Sequence, residues 1–327
     1  MARFLYAYRL TIGKAISPKK ALNRSGSGQP FKYIIDYSTY LPKESTTDQN
    51  NAFQFSDLQI SFNISKDDSA EPNQSTITLY NLSDDTVNYL NSYLKEKVVV
   101  KLEAGYVGEE LKQLCLSIVD HIVDKQDGAT RKTELSLADG TANTKEAITS
   151  RTYARGVPYS IIRKDLIKDL GLPQGPSSDW ATTDKTLVSR SMTGNTHQLL
   201  KTLCDMKDSD YHIQDGKVSI IQKGKRLTAQ SAYISPDTGL IGSPEPLGKD
   251  VESKNIIGSS AKQVTPDGIK FKCQLDGGIF VGSTVYVKSK NYDGAYKVTK
   301  LTHNGDFYGG QWTTEVEAIK VEATIGD

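Results

Sequence analysis

The chain has 327 residues, with 40 lysines and arginines against 39 aspartates and glutamates, a formal net charge of +1. At about 150 residues per domain that length suits two or three domains with sizeable cores. The charge balance excludes a strongly basic nucleic-acid binder and a globally acidic, disordered chain. No apolar stretch approaches the roughly 18 residues of a membrane helix, so no membrane partner is expected.

The N-terminal MARFLYAYRLTIGKA alternates polar with apolar residues and reads as a strand, not as a signal peptide. In residues 57–64 (DLQISFNI) every second residue is apolar, the mark of a strand with one face on a core. Residues 75–82 (STITLYNL) form a second strand, and KDDSAEPNQ between them is a turn by composition. The period then changes. Ser83 caps a helix over 83–95, with Asp84 and Asp85 at its positive end, Lys95 and Lys97 beyond the other end, and Val87, Leu90 and Leu94 as its apolar stripe. Strands resume at 98–104, at Leu114, Leu116 and Ile118, and at 131–137 after the Asp127-Gly128 turn. This is a barrel or sandwich with one inserted helix.

The middle of the chain differs. Pro158 opens a helix that runs to Leu170 with Gly171 as its C-cap, and a polar loop, PQGPSSDWATTD, follows. A second helix spans about 196–206, and Asp215-Gly216 marks a tight hairpin. A long irregular connection over 227–262 leads to a last set of strands around Ile269, Phe271 and Cys273, around Val285 and Val287, from Tyr296 to Lys300, and from Trp312 to Ala318. The expected class is mainly β (α+β): a first β domain over 1–149, a small α+β domain over 150–226, and a linker with a second antiparallel β domain over 227–327.

Little in the sequence points to chemistry. Cys115, Cys204 and Cys273 are widely spaced and odd in number, which suits core thiols in a reducing cytoplasm rather than disulfides or metal ligands. Of the four histidines, only His212 approaches a ligand set, sharing a strand face with Asp210 near Asp208; the same segment reads as a turn entering a hairpin. Gly26-Ser27-Gly28-Gln29-Pro30 lacks the elements of a dinucleotide or phosphate loop. Asp67-Asp68 and Glu109-Glu110 are adjacent carboxylates in turns, not the separated pair of a glycosidase. No catalytic, metal or cofactor site is expected. Seventeen tyrosines against eight phenylalanines suit sheet surfaces and interfaces, and Trp180 in the polar loop is the candidate for an exposed, sticky contact.

Two stretches carry a resemblance. One is LQISFNISKDDSAEPNQSTITLYNLSDDTVNYL with VVVKLEAGY after it; the other is GAYKVTKLTHNGDFYGGQWTTEVEA. Together they resemble the baseplate hub proteins of contractile-tailed bacteriophages, which share a fold with the first part of type VI secretion spikes. The signature positions are Pro72 and Asn73 at the hairpin turn; Asn81, Leu82 and Ser83 before the helix; Gly105, where the chain reverses, and Tyr106. In the late stretch they are Gly294 in a turn, Tyr296, His303, Gly305 and Asp306 before a hairpin, and Trp312 anchoring the second barrel. All of these roles are architectural.

The resemblance implies two tube-like antiparallel β-barrel domains flanking the α+β domain, and a homotrimeric ring that joins a sixfold tail tube to a threefold central spike. The implied partners are a tail tube protein, a separate spike protein, baseplate wedge and tape-measure proteins, and DNA that passes without specific binding. Such a protein is assembled in the host cytoplasm and resides in the virion tail. Because the chain stops at Asp327, neither a spike needle nor a lysozyme domain is expected within it. A tail-associated peptidoglycan-degrading enzyme and a receptor- or carbohydrate-binding adhesin are the alternatives. The segment 39–51 is expected to be a loop, either reaching a neighbour or disordered.

Overall fold

A computed structural model describes residues 5–14, 52–71, 73–94, 98–178, 180, 183–223, 231–247 and 268–320. Pro72, Lys95, Lys97, the glycine-rich 26–30 and the 39–51 segment lie outside the described residues.

The first elements are β1 (Tyr6–Lys14), β2 (Ala52–Phe55), β3 (Ile60–Asp67), β4 (Gln74–Tyr80), α1 (Asp84–Tyr93), β5 (Val98–Tyr106), β6 (Lys112–Asp127) and β7 (Thr130–Ala138). The middle elements are α2 (Thr141–Glu146), β8 (Ile148–Tyr153), α3 (Tyr159–Leu170), β9 (Arg190–Asn195), α4 (Thr196–Asp205), β10 (Ser209–Gln214) and β11 (Lys217–Gln222). The last are β12 (Ser231–Ile234), β13 (Leu240–Pro246), β14 (Gly268–Gln274), β15 (Thr284–Lys288), β16 (Asp293–Asp306) and β17 (Trp312–Lys320). The chain is mainly β.

The period-2 patterns become strands with one buried face: Ile60, Phe62 and Ile64 of β3 point inward and pair across from Leu79, Ile77 and Ser75 of β4. Ser83 caps α1 by accepting the Thr86 N–H at 3.3 Å. Asp215 and Gly216 both take positive φ (51° and 69°), the geometry of a two-residue hairpin turn, between β10 and β11.

One sheet of thirteen strands runs through both β regions, in the order β13-β14-β17-β16-β3-β4-β7-β6-β5-β1-β2, with β15 also on β16 and β12 on β15. The join is antiparallel pairing of β16 with β3 from Lys300↔Asp67 to Asp306↔Ser61. The α+β segment forms two separate two-stranded sheets, β8-β9 and β10-β11, around α3 and α4.

Three apolar cores follow. One lies under β1, β3–β7 and α1, one under β13–β17, and one inside the α+β segment. Strand β6 serves two of them. Leu114, Cys115 and Val119 enter the first core, while Leu116 and Ile118 enter the core of the α+β segment, so six successive residues, 114–119, are buried. The α+β segment therefore packs on the outer face of β5 and β6.

The structure corrects three local expectations. Within 227–262, β12 lies parallel to β15, and a 3-10 turn (Pro236–Thr238) leads to β13 at the edge of the sheet. Pro244 and Pro246 made this stretch read as loop, but an edge strand tolerates prolines whose missing N–H faces no ladder. Asp293-Gly294 is no turn: both residues pair with β15, and the reversal is at Ser289–Tyr292, closed by the Ser289 N–H on the Tyr292 carbonyl at 2.7 Å. Gly105 is paired strand (with Ala7), and the chain reverses after it, where Gly108 has φ 87°.

Candidate functional site: two seams

The signature residues from the two distant stretches meet at the seam between β3 and β16. Trp312 opens β17 and is 2% exposed, yet it enters the first core rather than the second, contrary to the role expected from the resemblance. Its indole stacks on Tyr6 (4.8 Å, 11°), meets the edge of Phe62 at 5.2 Å, and donates Nε1–H to the Gly105 carbonyl at 2.9 Å. The reason is register. Trp312 pairs with Gly305, which pairs in turn with Phe62 on β3, so the large ring has room only on the first core's side.

Gly305 is required by close approach. A Cβ there would lie 2.2 Å from Phe62 Cζ. Asp306 then holds the following turn, its Oδ1 accepting the N–H groups of Tyr308 (3.1 Å) and Gly309 (2.7 Å). Tyr6 adds a hydroxyl bond to the Gly310 carbonyl at 3.0 Å, and its ring meets Tyr106 edge-on at 6.2 Å. Part of the tyrosine excess is thus spent sealing this seam. Further along, Asn63 Nδ2 donates to Asn304 Oδ1 at 2.6 Å, and buried His303 is hydrogen-bonded through Nδ1 to Thr314 Oγ1 at 2.9 Å. Burial pushes the His303 imidazole down to about 3.

The remaining signature residues are local. Asn81 adopts φ 57°, and its Oδ1 accepts the Arg131 N–H at 3.0 Å. Leu82 is buried in the first core, and Tyr296 in the core beneath β13–β17. Gly294 is an ordinary strand residue opposite Val287. Asn73 belongs to a second seam.

That second seam is the tip of the β10–β11 hairpin seated on the end of the large sheet. Asn73 Oδ1 accepts from the Asp67 N–H at 3.0 Å while its Nδ2 donates to the Ile213 carbonyl at 3.4 Å. Gln214 Nε2 donates to the Asp67 carbonyl at 2.8 Å. Asp215 accepts the Lys66 ammonium at 2.7 Å and the Leu116 N–H at 3.0 Å, and Asp139 accepts the Gly216 N–H at 3.2 Å. Lys66 is 8% exposed and Asp139 is 7% exposed. Sequence reasoning did not find this cluster. Its one signal was Lys66 continuing the inward register of Ile60, Phe62 and Ile64.

The residues considered for chemistry sit in structural roles. All three cysteines are buried, and burial pushes each thiol up to about 12. His212 is buried and pushed down to about 4, while Asp210 approaches Lys223 at 3.9 Å. Burial raises the Asp68 carboxyl, with Lys297 opposing the rise, while Asp169, which the sequence did not single out, is clamped by Arg151 at 2.6 Å. Trp180 is no exposed contact: it is 6% exposed, lies under the Arg163 guanidinium at 5.0 Å, and donates to Ser209 Oγ at 3.1 Å. No helix among the described residues is long and apolar enough to cross a membrane.

This mainly β fold is shared with solved structures of phage tail and type VI secretion proteins. The chain is similar to the 43 kDa tail protein of prophage MuSo2 from Shewanella oneidensis, with TM-score 0.56 and 10% identity, covering 82% of this chain and 94% of that one. It is similar to a tail protein from Neisseria meningitidis, with TM-score 0.54 and 10% identity over 97% of both chains. It is also similar to the E. coli c3393 protein, a type VI secretion component described as structurally similar to the T4 tail proteins gp27 and gp5, with TM-score 0.55 and 8% identity over 82% of this chain and 75% of that one. No sequence-family model and no curated protein sequence matches the chain.

Proposed function

We propose that the chain is a structural protein of a bacteriophage tail, the baseplate hub. In this reading three copies form a ring in which each contributes two tube-like β-barrel domains, one on each side of the α+β domain. The ring joins the sixfold tail tube to the threefold spike and contacts wedge and tape-measure proteins. The observation that carries the proposal is the pairing of β3 with β16, which makes one sheet out of two β regions far apart in sequence. A subunit that must supply two adjacent segments of one ring wall needs that continuity.

The polar face of the sheet fits a wall along which DNA slides. It carries charges matched across strands, as in Lys272–Glu315 (3.4 Å) and Arg9–Glu103 (3.7 Å), and at the seam two neutral amides pair. Matched charges offer few free cations for phosphate, and phosphate binding scales with their number. Asp169 and Asp215 are held in ion pairs by Arg151 and Lys66.

The test is the mass of the purified chain in solution, alone and with tube and spike proteins, alongside a reconstruction of the assembled tail tip. A trimer, or a threefold ring of this fold between tube and spike, is expected. A chain that remains monomeric with both partners and is absent from the tail tip sinks the proposal, as does tight DNA binding at physiological salt.

A further inference from the structure

The hairpin seam has an unbalanced charge count. Lys66 on β3 supplies one buried cation; Asp215 in the β10–β11 turn and Asp139 at the end of β7 supply two carboxyl groups. The other titratable groups facing the cluster add no charge. The Cys115 thiol on β6 is held neutral by burial, and His212 on β10 and His303 on β16, both of which face Lys66, are kept neutral by burial as well. His212 also faces Lys297 and Asp67, which carry opposite charges. Asp215 is committed to Lys66 by a 2.7 Å ion pair and to the Leu116 N–H. A second ionised carboxylate beside it, itself buried, must share that one cation, and the Gly216 and Asp215 N–H groups and Lys66 offset its burial only in part.

We propose that Asp139 is a proton-gated latch: neutral, it locks the β10–β11 hairpin onto the large sheet, and ionised, it loosens the hairpin tip. The geometry makes the latch specific to that tip. Asp139 reaches the Gly216 N–H directly, and the adjacent Gly140, at φ 68°, lies so close to Ile213 that a Cβ there would meet Ile213 Cγ2 at 2.7 Å. A charge on Asp139 draws water to this contact, and water enters only if the tip withdraws. At the end of the β3–β16 seam the half-buried carboxyl is Asp68, which differs from Asp139 in having Lys297 beside it. Burial, reinforced by Asp215, raises the Asp139 carboxyl to about 7, which sets the range of the switch near neutrality. This proposal does not depend on the hub reading.

The test is amide hydrogen exchange on the full chain between about pH 5.5 and pH 8.5, corrected for the intrinsic pH dependence of exchange. Protection of the β10–β11 turn, the Gly216 amide above all, is expected to fall about tenfold as Asp139 ionises, with the β3–β16 ladder unchanged. In Asp139→Asn, which keeps an acceptor but cannot ionise, turn protection is expected to stay level. Level protection in the unaltered chain, or an equal fall in Asp139→Asn, overturns the latch. Carbon-13 titration of the Asp139 carboxyl in the unaltered chain provides a check that needs no variant: a midpoint near neutrality supports the latch, and one below about pH 5 removes it.

Discussion

The Trp312 indole N–H donates to the carbonyl of Gly105 at 2.9 Å across 207 residues of sequence. The bond links the end of β5 in the first β region to the start of β17, the last strand of the second. A buried carbonyl deprived of its donor keeps its desolvation cost, so the bond and the ring's packing can be separated by substitution. Trp312→Phe keeps most of the apolar contact and is expected to lose about 1–3 kcal/mol. Trp312→Ala also opens a cavity in the first core and is expected to lose about 3–5 kcal/mol. Urea unfolding of both variants measures this: an undiminished Trp312→Phe would show that the hydrogen bond contributes nothing, and equal losses for the two would show that the ring's packing adds nothing beyond it.

Gly305 and Phe62 form a reciprocal pair. A Cβ on Gly305 would occupy space held by the Phe62 ring, so Gly305→Ala is expected to cost about 1–3 kcal/mol by overpacking. Trimming the ring should return part of that cost, making Gly305→Ala less harmful in a Phe62→Leu background. A double-mutant cycle on unfolding free energies reads the coupling. Strict additivity would mean that the two residues do not compete for the space.

These two pairs mark how much was legible in the sequence. Alternation along β3, β4, β14, β15 and β17, the Ser83 cap and the Asp215-Gly216 turn are local signals, and each of these elements formed where its residues indicated, whereas β16 extends through the expected Asp293-Gly294 turn. Strands β8, β9 and β12 are four to six residues long and carry too few alternations to register. Partnership across the chain was less accessible. Trp312 sits in a strand of the second β region, and only the Gly305 register sends its ring into the first core. Asp215 read correctly as a turn residue, but its second role as the counter-ion of Lys66 depends on where the hairpin docks. Trp180 misled because its neighbours are polar; the ring is covered from another element, by Arg163 of α3.

Trp180 gives a third prediction, which also bears on the adhesin alternative. Its ring fills the core of the α+β segment and bonds Ser209. Trp180→Ala is therefore expected to destabilise the fold by about 3–5 kcal/mol, measured by denaturant unfolding. Trp180→Phe, which retains the packing, is expected to leave any glycan binding unchanged on an array. A loss of glycan signal in a folded Trp180→Phe protein would reverse the placement of this side chain in the core.

The last prediction concerns stability against pH. His303 and His212 are pushed down by burial to about 3 and about 4, so the native state refuses protons that the unfolded chain accepts below about pH 6.5. Their contribution is present above that pH and is lost as pH falls towards 4. Asp139 behaves in the opposite sense. With its carboxyl raised by burial to about 7 from an ordinary 3.8, the native state holds a proton that the unfolded chain has released, so its contribution is full below about pH 4 and is lost as pH rises to about 7. Two histidines outweigh one aspartate on the acid side, and only the aspartate acts between about pH 6.5 and 7. For these three groups stability is expected to peak near about pH 6.5. Asp139→Asn removes the falling component and keeps the acid loss, so its stability relative to the unaltered chain should grow from about pH 4 to pH 7 and then level off. Thermal unfolding of both proteins across that range reads the difference directly, and parallel curves would show that Asp139 carries no proton in the folded chain.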